Sequence, residues 1–98
     1  MVEKEIRSKK VREFVELLEK VLKTKQTVYF YRHGTVVASN RVFSFVKIES
    51  TLVDPFGAMI TVKISKTPYS IDISLLGDHI LLKVWERKRI VYQKKIKR

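Results

Sequence analysis

The chain has no cysteine among its 98 residues, and this absence removes several classes of protein at once. Without thiols there is no disulfide framework, no thiolate zinc site and no cysteine nucleophile. No apolar run approaches the roughly 18 residues that a membrane-spanning helix requires. Residues 1–6 also lack the apolar segment of a secretory signal. We therefore expect a cytoplasmic protein with one domain over residues 1–98 and no membrane span.

Thermolabile residues are also scarce, with one Asn, two Gln and two Met. Together with a charged fraction of 32%, this usage is typical of proteins from hyperthermophiles. The apolar content is nevertheless high, at 45% hydrophobic and 10% aromatic residues. Such a composition predicts a folded chain and argues against intrinsic disorder.

Acidic residues are outnumbered, 10 against 21 Lys and Arg, which gives a formal charge of +11 and a pI near 10.1. Most of the excess lies in residues 83–98, which hold eight basic residues and one acidic residue. Such a cluster attracts polyanions by releasing their condensed counterions. Nucleic acid, an acidic partner protein, an anionic lipid surface and a simple solubilising tail are the alternatives. The cations expected to hold phosphates are Lys83, Arg87, Lys88, Arg89, Lys94, Lys95, Lys97 and Arg98.

The hydrophobic period predicts a helix over residues 4–24, within a helical segment that we assign to residues 1–25. Apolar residues from Val11 to Leu22 recur every three or four positions and cover about half of the helical wheel. Glu16 and Glu19 each precede a lysine by four residues, a spacing that stabilises helices. A stripe this broad indicates a helix that packs on a sheet.

From residue 26 the period falls to two, and β-branched and aromatic residues dominate. Short turns at Gly34, Gly77 and residues 87–88 predict antiparallel neighbours. The predicted fold class is α+β, with the N-terminal helix packed on a strongly bent antiparallel meander sheet over residues 26–96. This sheet is a partial barrel of about six to seven strands. The predicted strands are 26–32, 35–39, 41–49, 58–65, 69–76, 79–86 and 89–96, with one clear loop at 50–57.

Strand parity predicts a face on which aromatic rings alternate with cations. Rings can stack on unpaired bases while neighbouring cations hold phosphates. If the faces of the separate strands coincide, they form one platform for single-stranded nucleic acid. Its members are Tyr29, Tyr31, Arg41, Phe43, Phe45, Lys47, Lys83 and Trp85.

Residues 41–46, Arg-Val-Phe-Ser-Phe-Val, resemble the RNP1 signature of RNA-recognition motifs. The resemblance implies that Phe43 and Phe45 stack on bases. Val42 stands where that signature has glycine, and one helix precedes all the strands instead of the βαββαβ order. The chain is therefore not assigned to that family.

No arrangement of residues indicates catalysis. His33 and His79 lack metal-ligand spacing, and phosphate-cradling and nucleophile motifs are absent from the sequence. We expect no enzyme activity, no metal and no cofactor. The sequence favours a small basic nucleic-acid-binding protein, DNA or RNA, with weak sequence preference. The alternative is a protein-interaction module that forms a homodimer through Tyr29, Phe43, Phe45 and Trp85.

Overall fold

A computed structural model describes residues 6–31, 34–54 and 57–97, which form one helix and two antiparallel sheets. The helix precedes a three-stranded sheet in the order β1-β2-β3 and a five-stranded sheet in the order β4-β5-β6-β7-β8. The elements are α1 Lys9–Lys23, β1 Val28–Tyr31, β2 Thr35–Ala38, β3 Arg41–Phe43, β4 Val46–Asp54, β5 Gly57–Ile64, β6 Tyr69–Leu76, β7 His79–Glu86 and β8 Arg89–Lys97. The predicted α+β class is confirmed.

The predicted partial barrel is wrong, because the described strands form two separate sheets and number eight. The error arises between residues 41 and 57. One strand and a loop were predicted there, but the chain bends at residues 44–45, and β4 then runs on to Asp54. At the bend, the Phe45 carbonyl accepts a hydrogen bond of 2.7 Å from the Ser65 amide. A register shift between Ile48 and Ser50 interrupts the alternation, and this irregularity hides the rest of β4 in the sequence.

The helix begins at Lys9, later than predicted, and residues 1–5 lie outside the described part of the chain. The segment before it, residues 6–8, has no regular secondary structure but is anchored to the core. Ile6 is fully buried, and the Arg7 amide donates a hydrogen bond of 2.9 Å to the hydroxyl of Tyr69. Burial raises the pKa of this Tyr69 phenol above its usual value.

The core lies between one face of the five-stranded sheet and a layer made of α1 and the three-stranded sheet. Phe14 of α1 makes edge-to-face contacts with Phe43 and Phe45, at ring-centroid distances of 5.0 and 6.2 Å. The inward residues of the large sheet, such as Ile71 and Leu82, belong to the same buried cluster. The helix and the small sheet therefore cover only one side of the large sheet.

A left-handed residue ends the helix. Lys25 has φ +60°, its amide bonds to the Leu22 carbonyl, and the next amide, that of Gln26, bonds to the Val21 carbonyl. This pair of bonds is the Schellman motif, which usually has glycine at the left-handed position. A lysine there accepts steric strain that glycine would avoid.

We expect Lys25→Gly to raise the free energy of unfolding by about 0.5–1 kcal/mol, because relief of left-handed strain exceeds the added entropy of the unfolded chain. The control is Glu16→Gly at an exposed position in the helix interior, which should lower it by about 1 kcal/mol. Urea unfolding measures both. If both variants are destabilised, left-handed strain at Lys25 does not weaken the C-terminal end of α1.

Candidate functional site

The second face of the five-stranded sheet is turned away from the core. In antiparallel pairs, directly opposed residues share a face. Lys47 is opposed to Lys63, Lys63 to Ser70, and Ser70 to Trp85, so this row crosses four strands. We call this side the open face. It includes Lys47, Thr61, Lys63, Ser70, Asp72, Leu81, Lys83, Trp85, Gln93, Lys95 and Lys97, and the same rows contain Ser50, Leu52, Met59, Ser74, Leu76 and His79.

The five lysines of the open face have no ion-pair partner. Among the described residues, the side-chain ion pair is Glu86 with Arg89, and Asp78 contacts His79, which is charged only when it is protonated. Lys47 and Lys63 are directly opposed on neighbouring strands, and both are exposed. Like charges in this position are destabilising by up to about 1 kcal/mol. The open face therefore carries repulsion that a bound anion would relieve.

A carboxylate holds the indole of Trp85 on this face. Asp72 accepts a hydrogen bond of 2.9 Å from Trp85 Nε1 on one oxygen and another of 2.9 Å from Thr61 Oγ1 on the other. All three side chains are half-buried. Asp72 is directly opposed to Lys83, but no salt bridge joins them. The carboxylate therefore links three adjacent strands through neutral donors.

The aromatic platform expected from the sequence is divided in the structure. Phe43 is 4% exposed and Phe45 is half-buried, because both rings pack against Phe14 at the bend between the sheets. Phe43 cannot stack on a base unless the core opens. The base-stacking role implied by the RNP1 resemblance is therefore wrong for Phe43, and the bend is the reason. The alternation of inward and outward side chains in β3 therefore does not continue in the same phase into β4.

Tyr29 and Tyr31 are exposed but lie on the three-stranded sheet. Their rings stack on each other with centroids 6.5 Å apart. The alternate residues of β1, Val28 and Phe30, pack against the core, so the tyrosines point away from it. The open face points outward on the other side of the same core. The structure therefore does not bring these tyrosines together with Trp85, and Arg41 lies over the Phe43 ring at 5.1 Å.

The C-terminal cations are only partly assembled on the open face. Lys83, Lys95 and Lys97 lie on it, whereas Lys94 is opposed to inward-facing Leu82. Arg87 and Lys88 form the exposed turn between β7 and β8. Arg89 lies 3.6 Å from the carboxylate of Glu86. Arg98 lies outside the described residues.

A register shift in β8 decides which of these cations face outward. Val84 is opposed to Tyr92 and Trp85 to Ile90, so Val91 is an extra residue in β8. Val91 and Tyr92 are both buried. Beyond this bulge the alternation places Ile96 in the core and Lys95 and Lys97 on the open face.

Lys63 belongs to the site, although it was not among the residues predicted for it. The alternation of residues 58–65 indicates that Lys63 shares the polar face of its strand with Thr61. The missing information was the register of β4 against β5, which sets Lys63 opposite Lys47. A strand predicted to end at residue 49 and to lead into a loop does not provide that register.

The described residues contain no group of three or more His, Asp or Glu side chains placed to hold a metal ion. A shallow depression of about 340 Å³ at one end of the sheet is lined by Glu49, Lys63, Ser70 and Arg87, among others. A larger apolar groove of about 460 Å³ lies between β1, the end of α1 and the inward face of the large sheet. Nowhere in residues 6–31, 34–54 and 57–97 is there a helix with the length and apolarity to cross a membrane.

Comparison with known proteins gives no match: no family model, no curated protein and no solved structure is significantly similar to this chain.

The division of the aromatic residues predicts unequal effects on stability. Phe43→Leu should lower the free energy of unfolding by about 1–2 kcal/mol, because it removes a buried ring contact with Phe14. Tyr29→Leu, at an exposed position of similar size, should change it by less than about 0.5 kcal/mol. Urea denaturation of both variants tests this, and equal effects would place Phe43 outside the core.

Proposed function

We propose that this chain is a small, non-enzymatic nucleic-acid-binding protein and that the open face is its binding surface. The observation that carries the proposal is the set of five lysines without ion-pair partners on this face, with Lys47 directly opposed to Lys63. A fold that needed these charges only for solubility would gain from pairing them with acids, but Asp72, which lies among them, makes no salt bridge with a lysine. A polyanion neutralises all of them together.

The arrangement favours binding that depends on charge and little on sequence. Phosphate contacts position a nucleic acid but carry no sequence information. An uncovered sheet face offers a broad surface for an extended strand, and the exposed turn at Arg87 and Lys88 adds cations at its edge. The formal charge of +11 supports rapid, salt-sensitive association. A cytoplasmic location, where RNA is abundant, fits this role.

The salt dependence of binding tests the proposal directly. We expect the association constant for a 20-nucleotide oligothymidine to fall with a log–log slope of about −3 to −4, since each neutralised phosphate contributes about −0.7. Lys47→Gln with Lys63→Gln should weaken binding about tenfold at low salt and should make the slope shallower by about 1.4. Fluorescence anisotropy over a salt series measures both quantities.

The matched control carries the same loss of charge elsewhere. Lys20→Gln with Lys23→Gln removes two exposed cations from the outer side of α1 and should change affinity by less than about twofold. Equal weakening by the two double variants would show that net charge alone attracts the oligonucleotide. An association constant that does not change with salt would reject the proposed function.

A second candidate function, self-association, rests on the opposite face of the large sheet, at one end. Val53 and Leu75, which are both opposed to Ala58 of the intervening β5, are exposed on that face, and Val53 is 80% exposed. Val53 and Leu75 also line the apolar groove. Exposed aliphatic residues grouped in this way favour contact with a second copy of the chain. The aromatic homodimer face expected from the sequence is replaced here by an aliphatic one, because Phe43 is in the core.

We expect Val53→Lys with Leu75→Lys to leave the protein monomeric at concentrations where the parent chain forms dimers. Two cations at a twofold interface repel their copies. Sedimentation velocity over a concentration series measures the association. Tyr29→Lys is the control, since it adds a cation at an exposed site on the small sheet. A parent chain that stays monomeric throughout the series would reject this candidate.

A further inference from the structure

Trp85 and Asp72 form a feature of the open face that charge attraction does not explain. Asp72 is an acid on a surface that holds five lysines, so it repels the phosphates that those lysines would bind. Both of its oxygens accept hydrogen bonds from neutral donors, and it makes no salt bridge with the opposed Lys83. Its partners show what it does on this surface: it holds an indole ring in one place.

We propose that Asp72 is a positioning residue that fixes the Trp85 ring for stacking on an unpaired base, so that the open face takes single-stranded nucleic acid in preference to duplex. This inference rests on the proposed function and specifies its ligand.

The first argument for this role is the position of the Trp85 ring. Trp85 lies on β7 and its hydrogen-bond partner lies on β6, one strand away and two residues along in register. The indole must therefore extend across β6 towards Asp72. The Thr61 hydroxyl on β5 holds the same carboxylate from the other side, so three strands fix its position. A ring fixed before binding loses little further freedom when a base stacks on it.

The second argument is the presence of lysines beside the Trp85 ring. Lys83 lies two residues before Trp85 on the same strand, and Lys63 lies in the same cross-strand row. A ring with cations on its flanks matches a nucleotide whose base stacks while the adjoining phosphates are neutralised. In a duplex the bases are already stacked and paired, so duplex DNA can use the lysines but not the ring.

Removal of Asp72 then has opposite effects on the two ligands. Asp72→Ala deletes a repelling charge, so affinity for a 20-base-pair duplex should rise about twofold to fivefold. The same change releases the ring, so affinity for a 20-nucleotide single strand of oligothymidine should fall about fivefold. Trp85→Leu should lower single-strand affinity about tenfold and leave duplex affinity unchanged.

A conservative variant separates charge from positioning. Asp72→Asn removes the charge but keeps an oxygen that can accept from Trp85 Nε1, so affinity for both ligands should rise. Asp78→Ala is the control, because Asp78 lies in the turn between β6 and β7 and bonds to His79. It should raise both affinities slightly and by the same factor. Anisotropy titrations at one fixed salt concentration give all of these ratios.

The outcomes distinguish this inference from the proposed function. If Asp72→Ala raises the affinities for both ligands by one common factor, Asp72 acts only as a charge and the inference is overturned, while nucleic-acid binding stands. If the parent chain binds neither ligand, the proposed function itself has failed. If Asp72→Ala does not fold, Asp72→Asn and Trp85→Leu decide: unchanged single-strand affinity in the leucine variant overturns the stacking role.

Discussion

The contact of Phe14 with Phe43 and Phe45 holds together three parts of the molecule that the chain alone would leave separate. Phe14 belongs to α1, Phe43 ends the small sheet, and Phe45 lies in the bend that leads into the large sheet. By burying these rings together, the fold places the helix and the small sheet in one layer on one side of β4–β8. The opposite side of the large sheet then has no covering layer among the described residues. The lysines and the indole that we assign to binding occupy that uncovered side, so the site depends on where the aromatic cluster is buried.

Sequence prediction succeeded where a local pattern determines the structure. The bounds of β6 and β7 agree with the predicted strands 69–76 and 79–86, because both strands alternate without interruption and are joined by a turn that contains glycine. Local patterns suffice for such a hairpin. The single helix and the α+β class could also be predicted, since the change of hydrophobic period at residue 26 marks the boundary between the helix and the strands.

The bend at residues 44–45 could not be predicted from the local sequence pattern. Arg-Val-Phe-Ser-Phe-Val-Lys alternates through it as if one strand continued, and the reason for the bend is the packing of Phe43 and Phe45 on a ring about thirty positions earlier. The predicted platform failed for the same reason, since it combined side chains from two sheets that face apart. Lys47, Lys83 and Trp85 of that platform, and Lys95 and Lys97 of the predicted C-terminal cations, do lie on the open face, because their strands belong to one sheet.

The extra residue in β8 has a consequence for how the surface tolerates change. Because Val91 is an extra residue in β8, it determines which side chains face the core and which face outward from Tyr92 onward. A substitution at Lys95 alters one charge. Pairing of β8 with β7 without the bulge would instead set Lys95 opposite Ile80 and Ile96 opposite His79, which would turn Lys95 and Lys97 inward and Ile96 outward. Deletion of Val91 itself removes only the extra residue and leaves the pairing from Tyr92 onward unchanged, whereas deletion of Gln93 would invert the residues that follow it.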